Sequence, residues 1–141
     1  MSLNQINVLQ NDLPAGSADF VLSTFGIKTF NREQQEVLAS EIDRVLKPGG
    51  SFAFIEIPEP KLLFLKWFYK FYLKLIIPLI GRIFLGNARD YRMLGKYCAS
   101  FKNSQYFHEC LIKKGLESNY KNYFFGCATG VFGKKSPKDW L

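Results

Sequence analysis

Two short apolar runs flank an amphipathic segment in Ala18-Asp-Phe-Val-Leu-Ser-Thr-Phe-Gly-Ile-Lys28 and Leu46-Lys-Pro-Gly-Gly-Ser-Phe-Ala-Phe-Ile-Glu-Ile57. No other feature constrains the fold as tightly. Continuous apolar runs of this length are what a parallel sheet covered on both faces requires, and a helix between them makes a βαβ unit. The strands are expected at Phe20–Phe25 and Ser51–Ile57. Asn31 caps the helix with Gln34 at the reciprocal position, and Leu38, Ile42, Val45 and Leu46 share its inner face. Lys47-Pro-Gly-Gly50 is expected to end the helix in a tight turn. Asp19 is expected to anchor the start of its strand. Gln5–Asn11 reads as a short strand or its exit loop, and Asp12–Ser17 as a loop.

Further along, a helix is expected over about Ser104–Lys114, closed by Gly115. Leu116–Phe125 and Cys127–Lys134 then read as an antiparallel pair turning around Gly126. Ser136–Leu141 reads as a tail tied down by Trp140. With 141 residues and no repeat, one domain is expected over 1–141.

Residues 61–86 stand apart. They hold five basic residues and no acidic one, and Lys66, Lys70 and Lys74 recur at i, i+4. Aromatic and aliphatic residues fill most other directions. The central lysines and Pro78 argue against a membrane span, because each lysine at a helix centre costs about 2.5–3.5 kcal/mol. Two helices broken near Pro78 are expected. Net charge is +7, divided as −4 over residues 1–60 and +11 over 61–141. Such a basic half suits an anionic membrane surface through 61–86; its bland reading is solubility. A nucleic-acid interface is not expected, because the basic stripe is narrow and its surroundings are too apolar.

Cys98, Cys110 and Cys127 are widely spaced, and His108 is the only histidine. No zinc or disulfide framework is expected, nor any catalysis built on several histidines. His108-x-Cys110 reads as two residues of a surface helix. No basic start or apolar core of a signal peptide opens the chain, so a cytoplasmic, peripherally membrane-associated protein is expected.

The sequence resembles the class I S-adenosylmethionine-dependent methyltransferases, and more closely the ubiquinone/menaquinone biosynthesis C-methyltransferases. The residues that carry this are Leu13-Pro14, Asp19-Phe-Val-Leu-Ser-Thr-Phe-Gly-Ile-Lys-Thr29, Arg44-Val-Leu-Lys-Pro-Gly-Gly50, Ile55-Glu-Ile-Pro-Glu-Pro60, Asp90-Tyr-Arg-Met-Leu94, Gly115-Leu-Glu-Ser118 and Gly126–Lys135. The resemblance runs from about Ile6 to Lys135 but covers only the family's second half. The family's Gly-rich cofactor loop and ribose-binding acidic residue have no counterpart upstream of Ile6. An incomplete Rossmann-like α/β fold is therefore expected. It has about four strands, two parallel βαβ strands plus a C-terminal antiparallel pair, and a helical insertion or lid at 61–94.

By the same resemblance, Asn11, Asp12, Thr24 and Phe25 would contact S-adenosylmethionine, and Glu56, Tyr91 and Arg92 would line the substrate. Lys28 stands where the family usually has Arg, and would help ionise a phenolic substrate; a solvated loop lysine is the alternative. Glu56 would line the site or pair with Arg92. The expected function is methyl transfer from S-adenosylmethionine to a hydrophobic quinone-precursor-like or other small acceptor. The sulfonium supplies an activated methyl, so alignment and water exclusion suffice. This chain alone is expected to be inactive and to bind the cofactor weakly or not at all. The alternative is a non-catalytic membrane- or partner-binding module built on the half-fold. A homodimer, or association with the missing N-terminal half, would cover the exposed sheet edge.

Overall fold

A computed structural model describes residues 5–58, 63–76, 79, 101 and 103–137. The elements are β1 (Ala18–Thr24), a 3-10 turn (Ile27–Thr29), α1 (Arg32–Val45), β2 (Leu46–Glu56), α2 (Leu63–Phe71), a π-helical turn (Tyr72–Ile76), α3 (Gln105–Lys113), β3 (Glu117–Tyr123), a second 3-10 turn (Phe124–Gly126) and β4 (Ala128–Lys134). The sheet order is β1-β2-β4-β3. β1 and β2 run parallel, with Val21 beside Phe52 and Ser23 beside Phe54. β2–β4 and β3–β4 are antiparallel. The expected βαβ unit and C-terminal hairpin are thus present in one sheet.

α1 starts as its sequence dictates. The Asn31 side chain accepts the Gln34 N–H at 2.8 Å, and the Gln34 side chain accepts the Asn31 N–H at 2.9 Å. Such a reciprocal cap contributes about 1 kcal/mol. The helix buries Gln35, Leu38, Ala39, Ile42 and Val45, and of these Leu38, Ala39 and Ile42 share the core with Phe52, Phe54, Phe107 and Leu111. α3 packs beside α1, where Tyr106 donates a 2.5 Å hydrogen bond to Glu36 and Arg32 stacks on the Tyr106 ring. That carboxylate pushes the Tyr106 phenol up to about 12. α3 closes at Gly115, whose φ of +83° suits glycine, and the Leu116 N–H returns to the Leu111 carbonyl.

Several expectations need correction. The Lys47–Gly50 turn is absorbed into β2. Pairing slips between Ala18–Leu46 and Phe20–Ser51, so the segment forms a bulge in the strand. Gly49, at φ +80°, makes the bend, and its N–H bonds the Lys135 carbonyl at 2.8 Å. β1 is not covered on both faces. Val21 packs on the core, but Phe20 is 70% and Leu22 73% exposed. Among the described residues, the buried side chains of β2 face α1 and α3. The opposite face carries the exposed Phe20, Leu22, Ile55 and Phe132. The His108-x-Cys110 pair is split, since Cys110 is buried while the His108 ring reaches Ser118 at 2.8 Å.

Of the two readings of Gln5–Asn11, strand or exit loop, the structure has the loop, closed by one bridge between Asn7 and Gln10. The helix from Leu63 opens into a π turn at Tyr72, ahead of the expected break. The break at Pro78 itself, the rest of the 61–94 insertion, Cys98 and Trp140 lie outside the described residues.

Candidate functional site

Ligands of parallel α/β sheets gather beyond the carboxyl ends of the strands. Here β1 ends at Thr24, which is exposed, and the chain turns sharply at Phe25. Phe25 has φ +61°, a conformation that costs a non-glycine residue about 1–3 kcal/mol. Its N–H stays tied to the Ile55 carbonyl at 2.8 Å, so the ends of β1 and β2 hold the turn in place. The following 3-10 turn brings Ile27 and Lys28 inward.

Lys28 is only 8% exposed and is not a solvated loop lysine. Its Nζ sits 5.4 Å from the centre of the Phe25 ring. Glu56 ends β2 beside this turn and is 1% exposed. Its Oε1 accepts the Ile27 N–H at 2.9 Å, while Oε2 is buried with no partner among the described residues. Burial pushes the Glu56 carboxyl above its ordinary range; the Ile27 N–H and the Lys28 charge oppose that shift. The structure therefore brings Phe25, Lys28 and Glu56 together, while Thr24, paired with Ile55, lies on the opposite, exposed face of the sheet. Beneath them, the buried Ser104 and Thr129 hydroxyls share a 2.8 Å hydrogen bond, with Thr129 paired to Glu56 across β2 and β4.

Asn11 lies elsewhere. Its Nδ2 donates to Glu41 at 3.0 Å, and its Oδ1 accepts from Arg44 at 3.0 Å and from the Leu13 N–H at 3.2 Å. Arg44 also donates to the Leu13 carbonyl and to Glu41. The arginine holds the Glu41 carboxyl below its usual value. This clamp fastens the entry loop to α1. Asp12 is exposed beside it. Tyr91 and Arg92 lie outside the described residues.

A cleft of about 400 Å³ opens between the outer side of β1, α1 and the entry loop. Its lining includes Val8, Leu13, Phe20, Leu22 and Ile42, and is mainly apolar. Of its polar members, Asn11 and Glu41 are committed to the clamp. This space suits hydrophobic side chains, not a ribose or an adenine. Among the described residues there is no cluster of metal-binding side chains.

Two features escape sequence reasoning. The Arg44 clamp is foreshadowed only by the i, i+3 spacing from Glu41. The second is the β3–β4 turn, where Phe124 and Phe125 have φ of +48° and +57° and are 80% and 86% exposed. Two aromatics in place of the usual turn residues are the available signal.

The solved structures share this fold. An O-methyltransferase family protein from Burkholderia thailandensis superposes with a TM-score of 0.61 at 13% identity, covering 96% of this chain and 36% of its own. Human N-acetylserotonin methyltransferase, solved in complex with SAM, gives 0.54 at 14% identity, with 94% and 33% covered. In sequence, the demethylmenaquinone methyltransferase of Lactococcus lactis is 30% identical over 135 residues, covering 95% of this chain and 53% of the relative. The chain spans about half the length of the relatives it matches. Residues 2–135 match the ubiE/COQ5 methyltransferase family across nearly the whole chain, and the chain belongs to that family.

Proposed function

We propose that this chain forms the acceptor-side half of an S-adenosylmethionine-dependent methyltransferase acting on a hydrophobic, ionisable quinone precursor. The observation that carries this reading is the asymmetry of the two sheet edges. The β3 edge is polar, Glu117-Ser-Asn-Tyr-Lys-Asn-Tyr123, as an exposed edge should be. The β1 edge is Phe20-Val-Leu22, apolar and unblunted, with the open cleft alongside. An edge of that character suits a further parallel strand and its helix. In the reading proposed here, a glycine-loop half lies against β1 and supplies the cofactor contacts that residues 5–58 lack.

The acceptor would lie over Phe25 and Lys28. A buried cation at that point favours the ionised form of a phenol or naphthol. The demethylmenaquinone methyltransferases among the relatives suggest the acceptor class. α2 would face the membrane in which such an acceptor resides. Its Phe64, Trp67, Phe68 and Phe71 follow i, i+3, i+4, i+7 spacing and are all exposed. The same stripe favours a second reading, a non-catalytic membrane module on the half-fold.

The test mixes this chain with the N-terminal part of the Lactococcus lactis relative. Transfer of label from methyl-labelled S-adenosylmethionine to demethylmenaquinol is followed. Transfer is expected only in the mixture, and to fall about tenfold or more with Lys28→Ala. Turnover by this chain alone would overturn the half-enzyme reading. A soluble, associated mixture without transfer would favour the membrane module.

A further inference from the structure

The β3–β4 turn has no part in the site described above. Phe124, Phe125 and Gly126 occupy three consecutive left-handed positions, at φ +48°, +57° and +89°. Left-handed backbone costs a residue with a Cβ roughly 1–2 kcal/mol, and it normally occurs singly. This turn spends two such positions on phenylalanines and leaves both rings in solvent. A soluble hairpin would use Asn, Asp or Gly there. The surrounding chemistry is consistent along its length. Tyr123 stands directly below the tip, and the Lys121 ammonium lies 5.4 Å from its ring, whereas Tyr120 packs on the core. No acidic residue occurs between Glu117 and Asp139.

The position of the turn matters as much as its composition. Thr129 pairs with both Glu56 and Asn122, so the tip projects past the end of the sheet where Phe25, Lys28 and Glu56 gather. β2 leaves the sheet at that same end, and α2 begins at Leu63. Phenylalanine at the tip, tyrosine behind it and lysine in a stretch of sequence without acidic residues match a bilayer interface. They fit the headgroup region of an anionic leaflet, where each lysine adds about 1 kcal/mol.

We infer that Phe124 and Phe125 insert into anionic membranes and hold the ligand end of the sheet at the bilayer surface. The functional meaning rests on the membrane-resident acceptor proposed above, but insertion is measured without reference to catalysis. Vesicles of phosphatidylcholine with a minority of phosphatidylglycerol serve as the probe. A chain with Phe125→Trp, Trp67→Phe and Trp140→Phe reports from the tip alone. Its emission is expected to shift blue on the vesicles and to be quenched by brominated acyl chains. In the otherwise natural chain, Phe124→Ser with Phe125→Ser is expected to lower partitioning at least about tenfold, with the circular dichroism unchanged.

If the chain floats with vesicles while the tip tryptophan is neither shifted nor quenched, the inference is wrong and α2 alone binds. Failure to float removes both. Self-association without lipid that is lost in the double serine variant would make the tip a protein contact and would also overturn it.

Discussion

One oxygen of Glu56 accepts the Ile27 N–H at 2.9 Å, while its other oxygen is buried without a partner among the described residues. The carboxylate holds the turn that carries Lys28 inward. It does so at the cost of desolvation, which raises its pKa above the ordinary 4.5. Between 4.5 and the raised value, the native state holds more protons than the unfolded chain. Stability from this group is therefore greatest below 4.5 and is lost as pH rises through the folded pKa.

Glu56→Gln keeps an acceptor for Ile27 and removes the titration. Chemical denaturation across pH 4–7 should show a flatter stability profile for the variant. Glu56→Ala instead strands a buried N–H and should cost about 1–3 kcal/mol. An identical pH slope in the glutamine variant would exclude Glu56 as its source.

Arg44 joins α1 to the entry loop through Asn11 and Leu13. Arg44→Ala should free residues 6–16, read as faster amide exchange there than in β4. The global loss should be small, because the guanidinium is partly exposed. Unchanged exchange in the loop would show that its own turns suffice.

Gly133 of β4 pairs with Ser118 of β3. A Cβ there would fall 1.8 Å from the Glu117 carbonyl oxygen, a backbone atom that cannot swing aside. Gly133→Ala should lower stability by about 1–3 kcal/mol or more, seen as a lower thermal midpoint. Gly49→Asn leaves open space around the new side chain and uses a residue that tolerates left-handed backbone, so it should be far milder.

The apolar β1 edge has a direct consequence for the isolated chain. Without another strand beside Phe20 and Leu22, copies should associate with one another, most simply as a two-fold dimer. Light scattering after size exclusion should report a mass above the 16.3 kDa of one chain. Leu22→Lys should shift the distribution toward the monomer. A monomer in both would point to some other cover for the edge.

The sequence made the elements legible because local patterns set them. Asn31 with Gln34 fixed the start of α1, and Gly115 fixed the end of α3. Continuous apolar runs marked β1 and β2. Those same runs misled about cover, since Phe20 and Leu22 have the composition of a buried strand whatever lies beside them. The bulge at Lys47–Gly50 depends on pairing with both β1 and the chain after β4, which no local window contains. In the site, Thr24 and Phe25 were readable as a strand end. The inward turn of Lys28 was not, because it depends on Glu56, 28 positions away. Phe124 and Phe125 looked like the end of a strand until the backbone placed them at a tip.

The pairing of β2 with β4 brackets every residue from 57 to 127. Within that span α3 and β3 pack on the same core; entropically, the stretch that joins β2 to Phe101 is a loop closed by elements that already find each other through the core. The cost of closing a loop rises with the logarithm of its length, so doubling it adds only about 0.6 kcal/mol. The stretch that follows β2 can therefore lengthen, shorten or change composition while the sheet barely registers the difference. That stretch is free to diverge, while Phe52, Phe54 and Val131 continue to hold the sheet and its helices together.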